Sequence, residues 1–178
     1  NGSVAHYLTR RYIFGESLMQ DKYTISLPVF DNCLSSTGLR KVQFDSAIEE
    51  KQALETFARY FKNEMHYDFV QYEASAHKDS CIGYLFTESA MDMCSDHHTE
   101  MPTRCIGGCL FSKVDDTWVL CWIWLHPYFR NTGVLSNSWQ QMCSEFGNFA
   151  IEGPISLSMK SFLDKRETDH PLVKISFG

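Results

Sequence analysis

The chain has no apolar run long enough to cross a bilayer; its longest, Trp118–Leu125, is only strand length. It also lacks basic excess. Sixteen Lys and Arg stand against 22 Asp and Glu, for a formal net charge of −6. A protein whose main partner is nucleic acid needs the opposite balance, because phosphate neutralisation demands surplus cations. No charged-then-apolar leader opens the sequence. A chain that begins at Asn1 rather than Met is expected to be cut from a longer product or to follow a processed tag. Repeats, low-complexity tracts and an obvious linker are missing too. The seven cysteines contain no Cys-x-x-Cys pair, and seven is an odd number for a disulfide framework. Most of them sit inside apolar runs, where a thiol behaves as a small hydrophobe, so a reducing, cytoplasmic setting is the expectation.

What is present is material for a core. Of 178 residues, 44% are hydrophobic and 14% aromatic, which excludes global disorder and suits one globular domain over 1–178. Strand-like pieces fall at His6–Phe14 and Lys22–Phe30, with a loop at Gly15–Asp21 between them. Ser46 followed by Glu49 has capping-box spacing. Ala47, Leu54, Phe57, Ala58 and Phe61 then recur at helical intervals, predicting a helix from Ala47 to Met65. Phe69–Tyr72 and Cys81–Phe86 are β-prone, and Glu88–Met101 reads as a long polar loop. A strand over Arg104–Val114, interrupted at Gly107-Gly108, meets Trp118–Leu125 across an Asp115-Asp116 turn, which predicts a hairpin. Trp118–Leu125 is apolar throughout, as in a central strand covered on both faces. Strand alternation places Trp118, Trp122 and Trp124 on one face. A helix over Val134–Phe146 ends at a cap glycine, Gly147. A short strand at Phe149–Glu152, a helix over Ser156–Lys165 and a last strand at Pro171–Phe177 complete the chain. The order predicts a mixed α/β sheet in a single domain.

The segment with chemical character runs from His126 to Ser136. A strand feeds a turn holding Arg130, Asn131, Thr132 and Gly133, and the turn opens the helix at Val134. The first N–H groups of a helix have no partner inside it and lie at the positive end of its dipole, a geometry that binds phosphate. Gly133 lets backbone approach the anion, and Arg130 adds a permanent charge.

The stretch Trp122-Ile123-Trp124-Leu125-His126-Pro127-Tyr128-Phe129-Arg130-Asn131-Thr132-Gly133-Val134-Leu135-Ser136 resembles motif A of the GCN5-related N-acetyltransferase (GNAT) superfamily. Arg130 matches the Gln/Arg position, Gly133 the first glycine and Ser136 the small polar residue that follows. Leu135 stands where a second Gly or Ala is usual. The resemblance spans Arg104 to Lys165. It implies a mostly antiparallel sheet flanked by helices, with a V-shaped splay between two parallel strands, here Trp118–Leu125 and Phe149–Glu152. It also implies acetyl-CoA as co-substrate. Backbone of Ile123, Trp124 and Leu125 would meet the pantetheine, and backbone of Arg130–Ser136 (Asn131, Thr132, Gly133, Val134 and Leu135 included) the pyrophosphate. The implied reaction is transfer of the acetyl group to an amine.

Such a transfer needs a neutral amine, hence a base, and an acid for the leaving thiolate. Many GNAT members place a Tyr on the helix after the second strand; here Pro154–Leu163 has none. Ser156 and Ser158 are the nearby hydroxyls, and Glu152 and Asp116 are the carboxylates expected nearest the cleft. The catalytic candidates are therefore Ser156, Glu152 and Asp116. Leu135 and the missing Tyr feed an alternative: a degenerate module that holds acyl-CoA or a protein without turnover. The acceptor is open among a protein lysine, an N-terminus, a polyamine, an antibiotic and a small metabolite. The acidic balance favours a cationic one by steering, and the resemblance places its site in the first half of the chain and the Glu88–Met101 loop.

Cys94, His97, His98, Cys105 and Cys109 invite a zinc reading, but their spacing lacks paired ligands, so no metal is assigned. Cys121 and Cys143 lie in apolar surroundings that raise a thiol pKa and favour packing over nucleophilic roles.

Overall fold

A computed structural model describes residues 6–9, 24–166 and 169–174. Eight strands form one sheet: β1 (His6–Thr9), β2 (Ser26–Phe30), β3 (Leu39–Val42), β4 (Cys81–Ser89), β5 (Thr103–Val114), β6 (Thr117–Leu125), β7 (Ala150–Glu152) and β8 (Leu172–Val173). Three α-helices, α1 (Ile48–Met65), α2 (Val134–Phe146) and α3 (Leu157–Leu163), flank it. Strands β3, β4, β5 and β6 pair antiparallel in that order. Strand β2 meets β5 only at Thr103 and Arg104, past the last β6 partner at Gly107, and carries β1 on its far edge. The crossover through α2 brings β7 in parallel to β6, and β8 parallel to β7. The mixed sheet and the parallel pair agree with the sequence reading.

Two cores form, one on each face. Leu54, Phe57 and Ala58 of α1 pack against Leu110, Trp122 and Trp124. Trp139, Met142 and Phe146 of α2 pack against Tyr84, Phe111, Leu120 and Phe149 on the other face. Each fully buried large side chain contributes roughly 1.5–3 kcal/mol by its removal from water. The strand through Gly107-Gly108 is unbroken, contrary to the expected interruption. These glycines are contact points instead. A Cβ at Gly107 would lie 2.4 Å from the Trp124 carbonyl oxygen, and one at Gly108 would lie 2.9 Å from Leu54 of α1.

The three tryptophans do not share a face. Leu110 pairs with Trp122 but Phe111 pairs with Leu120, so Cys121 is an extra residue in β6. This bulge reverses the alternation. Trp118 packs on Phe146 beneath α2, whereas Trp122 and Trp124 face α1. The Asp115-Asp116 turn is confirmed, with both residues at positive φ (46° and 64°) as a two-residue hairpin turn requires.

Smaller departures have local causes. The capping box at Ser46 does not form. Ala47 is the N-cap, without a side-chain cap bond, and Ser46 Oγ instead accepts the Gln43 N–H. Phe69–Tyr72 is not a strand; Tyr72 turns inward and its hydroxyl bonds His77 Nδ1 at 2.9 Å. The final strand is only Leu172–Val173, and residues 175–178 lie outside the described set, as do 10–14, 22–23 and the loop Gly15–Asp21.

Candidate active site

Strands β6 and β7 pair at just two positions, Val119 with Ala150 and Leu120 with Ile151. Past Leu120 they separate, and beyond that point the β6 edge facing β7 has no partner strand among the described residues. The resulting V-shaped cleft has a volume of about 790 Å³, within the range of small-molecule and cofactor sites. Its walls are β6 from Leu120 to Leu125, the start of α2, the end of β7, α3, and the last turns of α1.

Every residue expected at the coenzyme lines this cleft except Thr132. The Thr132 hydroxyl turns away and donates to the Phe129 carbonyl at 2.6 Å. Pro127–Phe129 forms a 3-10 turn, started by His126 Nδ1 accepting the Tyr128 N–H. Burial, then the nearby Arg130 charge, lowers the His126 pKa and keeps the ring neutral for that role. Gly133 is the N-cap of α2 at φ 92°, a conformation costly for side chains. No atom crowds it: a Cβ there would lie 4.0 Å from Asn137 Nδ2. The glycine is needed for its backbone angle and for access to the N–H groups that follow. Leu135 is half-buried and packs on the α2-side core, which accounts for an apolar residue at that position.

Arg130 departs from the sequence reading. Its guanidinium is turned back onto α1, donating to Glu64 Oε1 at 2.8 Å and Oε2 at 2.6 Å. Its Nε donates to the Leu125 carbonyl at 2.8 Å, so that carbonyl, expected at the pantetheine, is already engaged. Trp124 Nε1 joins the same carboxylate at 2.8 Å. Burial pushes the Glu64 pKa up, but these hydrogen bonds and the Arg130 charge outweigh it, and the net shift is downward. Arg166, which the sequence did not single out, lies beside the start of α2. Its Nη2 donates to Ser136 Oγ in the first turn of α2 at 3.0 Å.

The catalytic candidates separate. Glu152 lines the cleft; burial raises its pKa, and its Oε2 is buried without a hydrogen-bond partner among the described residues. Ser156 also lines the cleft, but its Oγ accepts the Met159 N–H as the N-cap of α3. Asp116 does not reach the cleft. It sits in the hairpin turn, 97% exposed and paired with Lys113 at 3.0 Å, roughly 25 Å along β6 from the turn that opens α2.

Residues of the first half enter through the end of α1. Phe61, Glu64 and Met65 line the cleft, while nothing from Glu88–Met101 does. That loop is tied elsewhere, by Arg104 to Asp92 and Glu88 and by Glu100 to the Cys33 N–H. Tyr67 stacks on Phe61 at 5.6 Å, and Phe61 lies 6.0 Å from Trp122. Burial, then the charge of Glu152, raises the Tyr67 pKa, so the phenol and that carboxylate sense one another. The periodicity of α1 contained the signal for Phe61 and Glu64, three residues apart on one face; Tyr67, past the helix end, carried none.

Cys105 and Cys109 are fully buried in β5, where burial raises both thiol pKa values, and burial likewise pushes Cys121 up to about 12. Among the described residues, no three His, Cys, Asp or Glu side chains gather as a metal-ligand set, and no helix is long and apolar enough to cross a membrane.

No family model matches this sequence, and no curated protein matches it. Solved structures do. The xEco2 acetyltransferase domain bound to a CoA conjugate resembles it with a TM-score of 0.53 at 10% identity, over 78% of this chain and 93% of that one. A second structure of the xEco2 acetyltransferase domain gives 0.50 at 10% identity, over 99% and 100%. At this identity the likeness concerns the fold.

Proposed function

We propose that this chain, which has the GNAT fold, transfers an acetyl group from acetyl-CoA to an amine. The observation that carries the proposal is the cleft itself: a β6 edge without a partner strand among the described residues, leading to the Gly133-capped start of α2. The residues suit the coenzyme. Strand edge and pantetheine amide groups are complementary, and the helix start suits the pyrophosphate. That a solved neighbour is described as bound to a CoA conjugate adds weight.

Bound acetyl-CoA would supply an activated thioester carbonyl. The chain's task is then to orient it and manage protons. Glu152 is the base: a carboxylate with a raised pKa, an unpartnered oxygen and a place on the cleft wall. It takes the proton that the amine nitrogen loses as the new C–N bond forms, while the C–S bond breaks and its electron pair departs on the CoA thiolate. Glu64, held ionised by Arg130, is already committed as a counter-ion. The two carboxylates are thus driven apart in pKa, the pattern by which acid–base roles divide. With Glu64 neutralised by Arg130, ionised Glu152 is the negative charge on this wall, and it favours an acceptor that carries positive charge.

The absence of a Tyr on α3 keeps a second reading in play, an acyl-CoA-binding module without turnover. A thermal melt with acetyl-CoA, and with ATP as a phosphate control, tests the shared premise. At a hundred times its dissociation constant a ligand adds roughly 2.7 kcal/mol. A shift with acetyl-CoA but not ATP supports the coenzyme; no shift at millimolar acetyl-CoA refutes both readings. Release of free thiol with a panel of primary amines then separates enzyme from module.

A further inference from the structure

We infer that Arg166, not the motif-position Arg130, is the cation that receives the coenzyme's pyrophosphate. This inference rests on the acyl-CoA reading of the same cleft. The two arginines flank the start of α2 but differ in what holds them. Both terminal nitrogens of Arg130 are committed to Glu64, and its Nε to the Leu125 carbonyl. A pyrophosphate would have to break a two-point ion pair and leave Glu64, with Trp124 Nε1 upon it, short of its counter-ion.

Arg166 has no carboxylate at ion-pair distance among the described residues. Its only hydrogen-bond acceptors there are neutral: Ser136 Oγ at 3.0 Å and, at the limit of 3.5 Å, the Phe162 carbonyl. Its guanidinium carbon sits over the Phe162 ring, 3.4 Å from the centroid, with the Trp139 ring at 6.0 Å. The ring contact holds the guanidinium in place, and with only neutral acceptors upon it the group keeps its charge for an anion. Ser136 belongs to the first turn of α2, so the charge is held beside the N–H groups that follow Gly133. Lys165, next in sequence, also lines the cleft. The residues just past the end of α3 therefore close the phosphate end, and a motif read along the chain at Arg130 cannot see them.

Isothermal titration with CoA and, separately, with pantetheine tests this. Arg166→Gln keeps the stem and some donors but removes the charge. It is expected to weaken CoA at least about tenfold, the size of one charge-assisted contact, while leaving pantetheine within twofold. Arg166→Lys should restore part of the loss, and the salt dependence of CoA binding should flatten in Arg166→Gln. Arg130→Gln should weaken CoA less than Arg166→Gln does. Unchanged CoA affinity in a folded Arg166→Gln, or an equal loss for pantetheine, overturns the assignment while leaving the coenzyme reading intact. Failure of the unaltered chain to bind CoA at all refutes the coenzyme reading, and this inference with it.

Discussion

The two walls of the cleft are built from the same sheet yet carry opposite chemistry. On the α2–α3 side stand the Gly133 cap, Ser136, Lys165 and Arg166; on the α1–β7 side stand Glu64, Glu152, Phe61 and, behind Phe61, Tyr67. The first suits an anion, the second an amine entering between aromatic rings and carboxylates. Arg130 sits at the boundary, and Glu64 has drawn it to the acidic wall. The lesson is that a motif residue's neighbours, not its place in the motif, decide which ligand its charge serves.

The contrast can be broken most severely at Gly133. Gly133→Asp brings a carboxylate against the phosphate end and should cut CoA affinity at least about 100-fold, since like charges near 4 Å repel by about 4 kcal/mol at an effective dielectric of 20. The fold should survive with a loss of about 1 kcal/mol, because only the backbone angle is strained and open space surrounds the position. Titration calorimetry and a melt on the same sample check both halves.

The opposite wall is broken at Glu152. Glu152→Gln should lower kcat about 100-fold with CoA affinity retained, the usual scale of a lost general base. Activity in the unaltered protein should rise with pH as Glu152 ionises, and that limb should vanish in the variant. Its stability should move the other way. A carboxyl whose folded pKa is raised contributes stability at low pH and loses it as pH rises through the folded value. The variant should therefore melt higher than the parent at pH 7 and gain nothing at pH 4.

Glu64 sharpens the boundary. Its folded pKa is lowered, so its contribution is present above the ordinary carboxyl value of about 4.3 and is lost as pH falls through the folded value. Glu64→Gln should cost about 1 kcal/mol at neutral pH, the size left after solvent screening of a pair this exposed. Denaturant unfolding at two pH values measures it. The smallest effect is Ser156→Ala: loss of the α3 cap should cost about 1 kcal/mol of stability. Its fall in kcat should be far smaller than that of Glu152→Gln, which steady-state kinetics would establish.

Much of this was legible in the sequence. The hairpin, α2 with its glycine caps, and the strand–turn–helix at Leu125–Ser136 follow from local rules: apolar runs, helical spacing and turn chemistry. Glu152 was found because it ends a strand that the fold places at the cleft. Asp116 was misplaced because adjacency in sequence says nothing about which end of a hairpin faces a site. Arg166 and Tyr67 were missed because each lies just past a helix end and matters only through a side chain from elsewhere, Ser136 for one and Phe61 for the other. Arg130 was found and its partner was not, since Glu64 lies far away in sequence, on α1.

The extra residue at Cys121 turns on counting rather than on chemistry. It shifts the parity of β6, so that residues before and after it read in opposite phase. Removing it would leave a regular ladder, with Leu110 still opposite Trp122 and Phe111 still opposite Leu120. Trp122 and Trp124 would keep the α1 side, and with it the platform under Phe57 and Tyr60. Position 121 should accordingly tolerate deletion without any exchange of faces: what it contributes is local bend and twist, not a partner.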